Sequence, residues 1–278
     1  MDSMMAGFAA FNERWLADQA AVLAEQAVPC IYCNQPRTRN PIHFQGMVIM
    51  LGKPEPCQCA EAVAALGALK QAEQAEKMAV ARKGAGLVGR LANATFESYE
   101  RNKPDQKRQA IAVESYATLL LTGCLGDQPW ALLHGGYGTG KSHLAAAVIQ
   151  AALSKGWQRC YFRSWTAHLA RMRRSFNKNA KEPTYVVERD LTRARLLVLD
   201  DLDKARPTEW SKELLFTALE HRYVHGLATI LTVNCKLADL GAWTGPALLD
   251  RTIHLCHTVE FKGDSYRSGL ALPVPEVG

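Results

Sequence analysis

The run Gly135-Gly136-Tyr137-Gly138-Thr139-Gly140-Lys141-Ser142 fits the pattern G-x-x-x-x-G-K-[ST], and few eight-residue stretches limit a fold so tightly. Backbone N–H groups of such a loop wrap phosphate oxygens. Its glycines visit backbone angles closed to other residues and let the chain lie tight against a ligand. Lys141 is placed to meet the β- and γ-phosphates, the Ser142 hydroxyl to take one magnesium position, and His143 to follow in the first helical turn. The motif requires a strand before it and a helix after it. Residues 130–134 read as a short buried strand, and residues 142–153 as a helix with Leu144, Val148, Ala151 and Ala152 on one face. A glycine turn beside a solvated lysine would need neither. The pattern implies a nucleoside triphosphate site.

Beyond the loop, helices alternate with apolar strands at 130–134, 159–163, 195–200, 228–234 and 255–261, which predicts a mainly parallel sheet between helices. The second strand to matter chemically is Leu196-Leu197-Val198-Leu199, which runs into Asp200 and Asp201. Carboxylates at a strand's C-terminal end lie where ligands gather in a parallel sheet. Asp200 suits magnesium, mostly through water, and Asp201 suits polarising an attacking water. Alone, the pair would also fit an exposed acidic turn. Residues 228–234 end in Asn234, which reads either as a water-orienting group or as a plain strand-ending turn residue.

The 278 residues allow one sizeable core and a smaller appendage, and 48% hydrophobic with 22% charged residues is globular composition. No basic stretch opens the chain, and no apolar run approaches the roughly 20 residues that span a bilayer, so a cytoplasmic protein is expected. The net charge of +6 does not by itself imply nucleic acid.

The eight cysteines fall into two groups. Cys124, Cys160, Cys235 and Cys256 stand singly in apolar surroundings and read as buried thiols. Cys30-x-x-Cys33 and Cys57-x-Cys59 form two close pairs that can supply four thiolates to tetrahedral zinc. Asn34 follows the first pair where knuckles often carry glycine, and asparagine tolerates the left-handed conformation. His43 is a possible substitute ligand, and four metal-free thiols are the alternative. Ahead of this module, Phe8, Phe11 and Trp15 mark one face of a helix over 5–26. That face suits either packing on the small domain or docking a partner. The expected organisation is an N-terminal helix and zinc module over 1–59, a helical linker over 60–85, an ATPase domain over 86–270 and a loose tail over 271–278.

The ordered set "GGYGTGKSHLAAA", "LLVLDDLDK", "LLFTALEHRY", "ATILTVN", "LLDR" and "VEFKGDSYR" resembles the AAA+ helicase loaders of the DnaC/DnaI type and their relatives, the IstB-type transposition helper ATPases. Residues 94–99 look like the sequence that opens that family's ATPase domain, and the resemblance spans roughly 85–267. It implies an α/β fold, an AAA+ P-loop NTPase core with a parallel sheet between helices and no C-terminal lid, to which the cysteine pairs add a small N-terminal zinc-binding domain. The expected cofactors are ATP and Mg2+ from the loop, the acids and the resemblance, and Zn2+ from the cysteine pairs. Residues Gly135 to His143 then belong to the nucleotide site, with Lys141 also catalytic, and Asn234 matches the first sensor. Asp201 stands where many AAA+ proteins carry Glu, so slow turnover is expected. Arg251 matches an arginine finger acting on a neighbouring subunit, with a surface salt bridge as the alternative, and Arg267 matches a second arginine near the nucleotide.

From Arg163 to Lys181 there are six basic residues and no acid, interleaved with Trp165, His168 and Phe176. The family places this region near the central channel of the assembly, which makes Arg171, Arg173, Arg174 and Lys178 candidates for gripping single-stranded DNA. A solvated basic helix with its aromatics in the core is the alternative. Together these features point to a replicative helicase loader that self-associates, binds the helicase through its N-terminal region and holds single-stranded DNA. An IstB-type helper acting with a transposase on duplex DNA is the first rival. A small-molecule kinase and a non-catalytic zinc DNA-binding module are further ones.

Overall fold

The computed structural model describes residues 28–37, 39–44, 47–177, 179–241, 245, 252 and 254–266. The chain divides into two compact units, Met1–Lys77 and Met78–Gly278. In the first, β1 (Val28–Pro29) pairs antiparallel with β2 (Pro36–Arg37) around the Cys30–Cys33 turn. Strands β3 (Arg39–Phe44) and β4 (Met47–Pro54) form a second hairpin, which the sequence reading did not anticipate. Helix α1 (Ala60–Ala85) follows, and the division between the units falls within it. Alanine, glutamate, lysine and glutamine fill α1, all good helix formers.

The second unit is built on a five-stranded, wholly parallel sheet of β5 (Trp130–Gly135), β6 (Cys160–Ser164), β7 (Leu196–Asp200), β8 (Ala228–Val233) and β9 (Cys256–Phe261). The spatial order is β6-β7-β8-β5-β9. Side chains alternate across each strand, and both faces are covered. Ala131, Leu133, Leu196, Val198 and Ile230 enter one core with α2 (Pro104–Thr122) and α3 (Lys141–Ser154). Trp130, Leu132, Leu197, Leu199 and Leu231 enter the other, against α4 (Trp165–Ser175), α5 (Thr184–Thr192) and α6 (Glu209–Val224). Burial on two faces is why these strands read as continuous apolar runs rather than alternating ones. Because the strands are parallel, Gly135, Asp200 and Val233 all end at one edge. Strand β8 lies between the other two and carries Asn234 into the gap.

Among the described residues no helix is long and apolar enough to cross a membrane. Cys160 and Cys256 are buried as expected, whereas Cys235 is half-buried and Cys124, past the end of α2, is exposed. Arg222 is wholly buried, and among the described residues no carboxylate pairs with it. Its guanidinium instead donates to Thr229 Oγ1 (2.8 Å) and to the carbonyls of Leu191 (2.9 Å), Ala194 (3.0 Å) and Ala228 (2.5 Å). It thereby ties α6 to the ends of α5 and β8, and burial lowers its pKa to about 9.

His168 is also buried, stacked on Trp165 with ring centroids 6.0 Å apart, and among the described residues neither ring nitrogen has a hydrogen-bond partner. Burial, with Arg171 and Arg163 adding to it, lowers its pKa from 6.5 to about 4. The folded state therefore binds the proton less well than the unfolded chain. Stability contributed by neutral His168 is present above pH 6.5 and is lost as pH falls towards 4, by roughly 3 kcal/mol in total. Urea denaturation of wild type and His168→Phe between pH 7 and pH 4 should show wild type losing that increment relative to the variant. Parallel curves would contradict it.

Candidate functional site

Strand β5 stops at Gly135, and the loop to α3 closes under two aromatic supports. Gly140 has φ 95°, and a Cβ there would lie 2.5 Å from the Tyr99 ring. Gly138 has φ 72°, and a Cβ would lie 1.9 Å from Ser265 Oγ. Its carbonyl accepts from the Tyr266 N–H at 2.9 Å. Glycine is required at both positions, because the chain visits the left-handed region in space already taken. Tyr99 is buried, with its hydroxyl 3.3 Å from Thr139 O and 3.2 Å from Gln109 Oε1. The loop is thus held by segments far apart in sequence.

Lys141 is buried, and its ammonium donates to the carbonyls of Gly135 (3.0 Å) and Gly136 (2.7 Å). Among the described residues no carboxylate pairs with it directly. Burial lowers its pKa, opposed by Asp201, Asp203 and Asp200. An ammonium satisfied only by loop carbonyls fits an anion added above it. Opposite, Ser142 Oγ and Thr232 Oγ1 each donate to Asp200 Oδ1 at 2.7 Å. Burial and neighbouring Asp201 raise the Asp200 pKa, and the two hydroxyls oppose the rise. This pairing of a hydroxyl and a carboxylate is a hard oxygen donor set suited to magnesium.

Asp201 has φ 56°, and its N–H donates to Thr232 Oγ1 at 2.9 Å. Its carboxylate accepts from Asn234 Nδ2 at 2.9 Å and pairs with Lys204. A cavity of about 330 Å³ collects these groups. Its walls include Tyr137 to His143, Asp201, Lys204 and Asn234, together with Arg90, Tyr99 and Tyr266. His143 Nε2 is 2.8 Å from Thr95 O and 3.2 Å from Ser98 Oγ, so it also anchors the segment opposite the loop. The structure therefore brings together the loop, Asp200, Asp201 and Asn234. Arg251 and Arg267 lie outside the described residues. Thr232, Asp203, Lys204, Tyr99 and Tyr266 were not singled out from sequence. The segments 94–99 and 265–267 had marked the two tyrosines only as parts of longer motifs.

In the first unit the four cysteine sulfurs converge. Cys30 and Cys59 are 3.9 Å apart, Cys33 and Cys57 are 3.4 Å apart, and all four sulfurs lie within 4.8 Å of one another. Sulfurs around tetrahedral zinc at about 2.3 Å stand about 3.8 Å apart, so the set fits that ion with no histidine added. Asn34 has φ 56° and its N–H donates to Cys30 O at 2.9 Å, the turn expected of a knuckle. Backbone N–H groups of Cys33 and Tyr32 point at Cys30 sulfur and lower its pKa to about 6. The Ala62 N–H acts in the same sense on Cys59, but burial and the neighbouring thiols outweigh it and push that thiol to about 12. Four thiolates this close need a cation between them. The cluster is compatible with a zinc site.

The basic stretch resolves into two roles. On α4, Trp165 and His168 face the core with Leu169 and Met172. Arg171 is not a free guanidinium: it pairs with Glu182 and Asp190, and Asp190 also holds Arg163. Both acids lie just past the acid-free window of the sequence. Arg173 and Arg174 are exposed, and Arg173 stands 5.3 Å over the Trp210 ring. Phe176 is exposed and meets Trp210 edge-on at 6.0 Å. Lys178 lies outside the described residues.

The family described as IstB-like ATP binding protein matches residues 66–270. An insertion sequence IS21 putative ATP-binding protein of Pseudomonas aeruginosa is 33% identical over 141 residues, which is 49% of this chain and 51% of that protein. This chain thus spans about half the length of that relative. The replicative helicase loader DnaC of Escherichia coli is 24% identical over 203 residues, 72% of this chain and 80% of that one. Among solved structures, the DnaC helicase loader superposes with a TM-score of 0.54 at 22% identity, covering 63% of this chain and 100% of the other. The replication initiator DnaA bound to AMPPCP and single-stranded DNA gives 0.52 at 20% identity, covering 62% and 50%. These structures share the fold.

Proposed function

Because the chain belongs to the IstB-like ATP-binding family, within the DnaC/IstB-like ATPases, we propose that it is an ATP-hydrolysing loader of a replicative DNA helicase. The observation that carries this reading is the four-cysteine module, which lies ahead of the matched 66–270 core and suits a separate partner-binding piece. The higher identity of the IS21 relative supports a second reading, a helper that acts with a transposase on duplex DNA.

In either reading the ATP chemistry is the same. The loop N–H groups and Lys141 hold the phosphates, and Lys141 offsets charge on the terminal ones. Ser142 and Asp200 would hold magnesium, which would neutralise phosphate charge when bound. Asp201 orients the attacking water and takes its proton, while Asn234 fixes the Asp201 carboxylate. Arg251 reaches the γ-phosphate of a neighbouring subunit, so turnover requires self-association, and Arg267 adds a second positive charge. Cys30, Cys33, Cys57 and Cys59 would hold zinc, whose thiolate bonds staple a segment with little core of its own.

Single-stranded DNA is held on the α4–α6 surface. Exposed Arg173 and Arg174 meet phosphates, with Lys178 continuing the basic run, and Phe176 and Trp210 offer ring faces or edges to unstacked bases. Arg171 supports this surface through Glu182 and Asp190 rather than by touching DNA.

Affinity capture with the full chain tests the partner. Replicative helicase should be retained and transposase should not, and chelating the expected single zinc should abolish capture while ATP binding persists. Retention of transposase alone would replace the loader by the helper. Fluorescence anisotropy tests the DNA surface: affinity should fall by about 0.7 log unit per phosphate contact for each decade of salt. Arg173→Glu with Arg174→Glu should flatten that slope. Trp210→Ala should weaken binding at every salt concentration without changing the slope. Unchanged binding in both variants would move the DNA contact elsewhere.

A further inference from the structure

Asp203 is the third acid of the segment from Asp200 to Lys204, and it does not line the cavity. The left-handed turn at Asp201 starts a short helical turn over Leu202–Lys204, which points the Asp203 side chain back at the end of β8. There it grips Asn234 twice. Asp203 Oδ2 accepts from the Asn234 backbone N–H at 2.7 Å, and Oδ1 accepts from Nδ2 at 3.1 Å. The backbone N–H lies just beyond the paired residues of β8, where the sheet no longer offers an acceptor.

The same amide nitrogen donates to Asp201 Oδ1 at 2.9 Å. Both amide hydrogens are therefore committed, one to each acid. An ionised carboxylate only accepts, so the amide must turn its NH2 edge to the two acids and its carbonyl edge away from them. Removing Asp203 frees the amide to rotate, and its carbonyl would then meet Asp201 as one acceptor against another.

We infer that Asp203 is a positioning residue for ATP hydrolysis, acting through Asn234 to fix the Asp201 carboxylate. The inference rests on the reading of the site as an ATPase. In that reaction the water oxygen bonds to the γ-phosphorus as the bond to the bridging oxygen breaks. The bridging oxygen leaves with the electron pair on the diphosphate, and the water proton passes to Asp201. Asp203 touches none of these atoms, so its loss should lower turnover and leave nucleotide affinity in place.

The test uses full-length Asp203→Asn, Asn234→Ala and the double variant, with Asp203→Ser as a smaller second substitution. Asp203→Asn and Asn234→Ala should each lower kcat by about 10-fold or more with KM for ATP within about twofold of wild type. The double variant should be no slower than Asn234→Ala alone, because the two residues act as one unit. Wild-type kcat in Asp203→Asn, or losses that multiply in the double variant, would overturn the inference. So would loss of the fold in both Asp203 variants, which would make the residue a fold determinant. A second readout needs no turnover: in protein labelled with 15N-asparagine, the Asn234 side-chain amide should show slowly exchanging protons that become fast in Asp203→Asn. Unchanged exchange would overturn the assignment. A wild type without turnover but with that exchange pattern would sink the ATPase reading and leave the Asp203–Asn234 grip standing.

Discussion

One oxygen atom organises the edge of the sheet where the phosphate loop lies. Asp200 Oδ1 accepts from Ser142 at the start of α3 and from Thr232 on β8, and Asp200 itself ends β7. The bonds join the phosphate loop and two adjacent strands at a buried point where a lone carboxylate would be driven towards its neutral form. Two hydroxyl donors offset that drive without adding charge. Thr232 then accepts the Asp201 N–H, so its hydroxyl donates to one acid and receives from the next. Across the site, burial works on Lys141 in the same way, favouring the neutral form. Opposed charges held partly desolvated on either side of a cavity suit a polyanion that arrives with a divalent cation.

Strand order explains how these groups meet. With β8 inserted between β5 and β7, Asn234 emerges between the loop and the acids. The turn after β7 adds Asp203, which secures Asn234 from outside the cavity, and Lys204, which pairs with Asp201 on the cavity wall. The acidic group is thus a layered arrangement. Asp200 accepts from the two hydroxyls, Asp201 accepts from Asn234 and pairs with Lys204, and Asp203 holds Asn234 from the other side.

Much of this was legible in the sequence because two-sided burial writes itself as apolar runs. The expected strands at 195–200 and 228–234 correspond to β7 and β8, and the loop announced its own strand and helix. Asn34 was readable for a local reason, since few side chains accept a left-handed turn. The misses share a different cause. Arg171 looked free because its acids, Glu182 and Asp190, lie outside the basic window and return to it only through the packing of α5 on α4. Trp210 joins Phe176 and Arg173 from a separate helix, and Asp203 reaches Asn234 across a turn whose direction depends on one backbone angle at Asp201. Contacts made by folding, between positions with no shared periodicity, leave no local pattern to read.

Every assignment at this edge depends on the phosphate loop. Titrating the full-length chain with a fluorescent ATP analogue in the presence of magnesium tests it most directly, with Lys141→Ala as the comparison. Wild type should bind at one site per chain. The variant should bind at least about 10-fold more weakly, as expected when a charge-assisted contact worth about 1.4 kcal/mol or more is lost, with its melting temperature little changed. Equal affinity in the two proteins would contradict the assignment of this loop, and of the edge built around it, to the nucleotide.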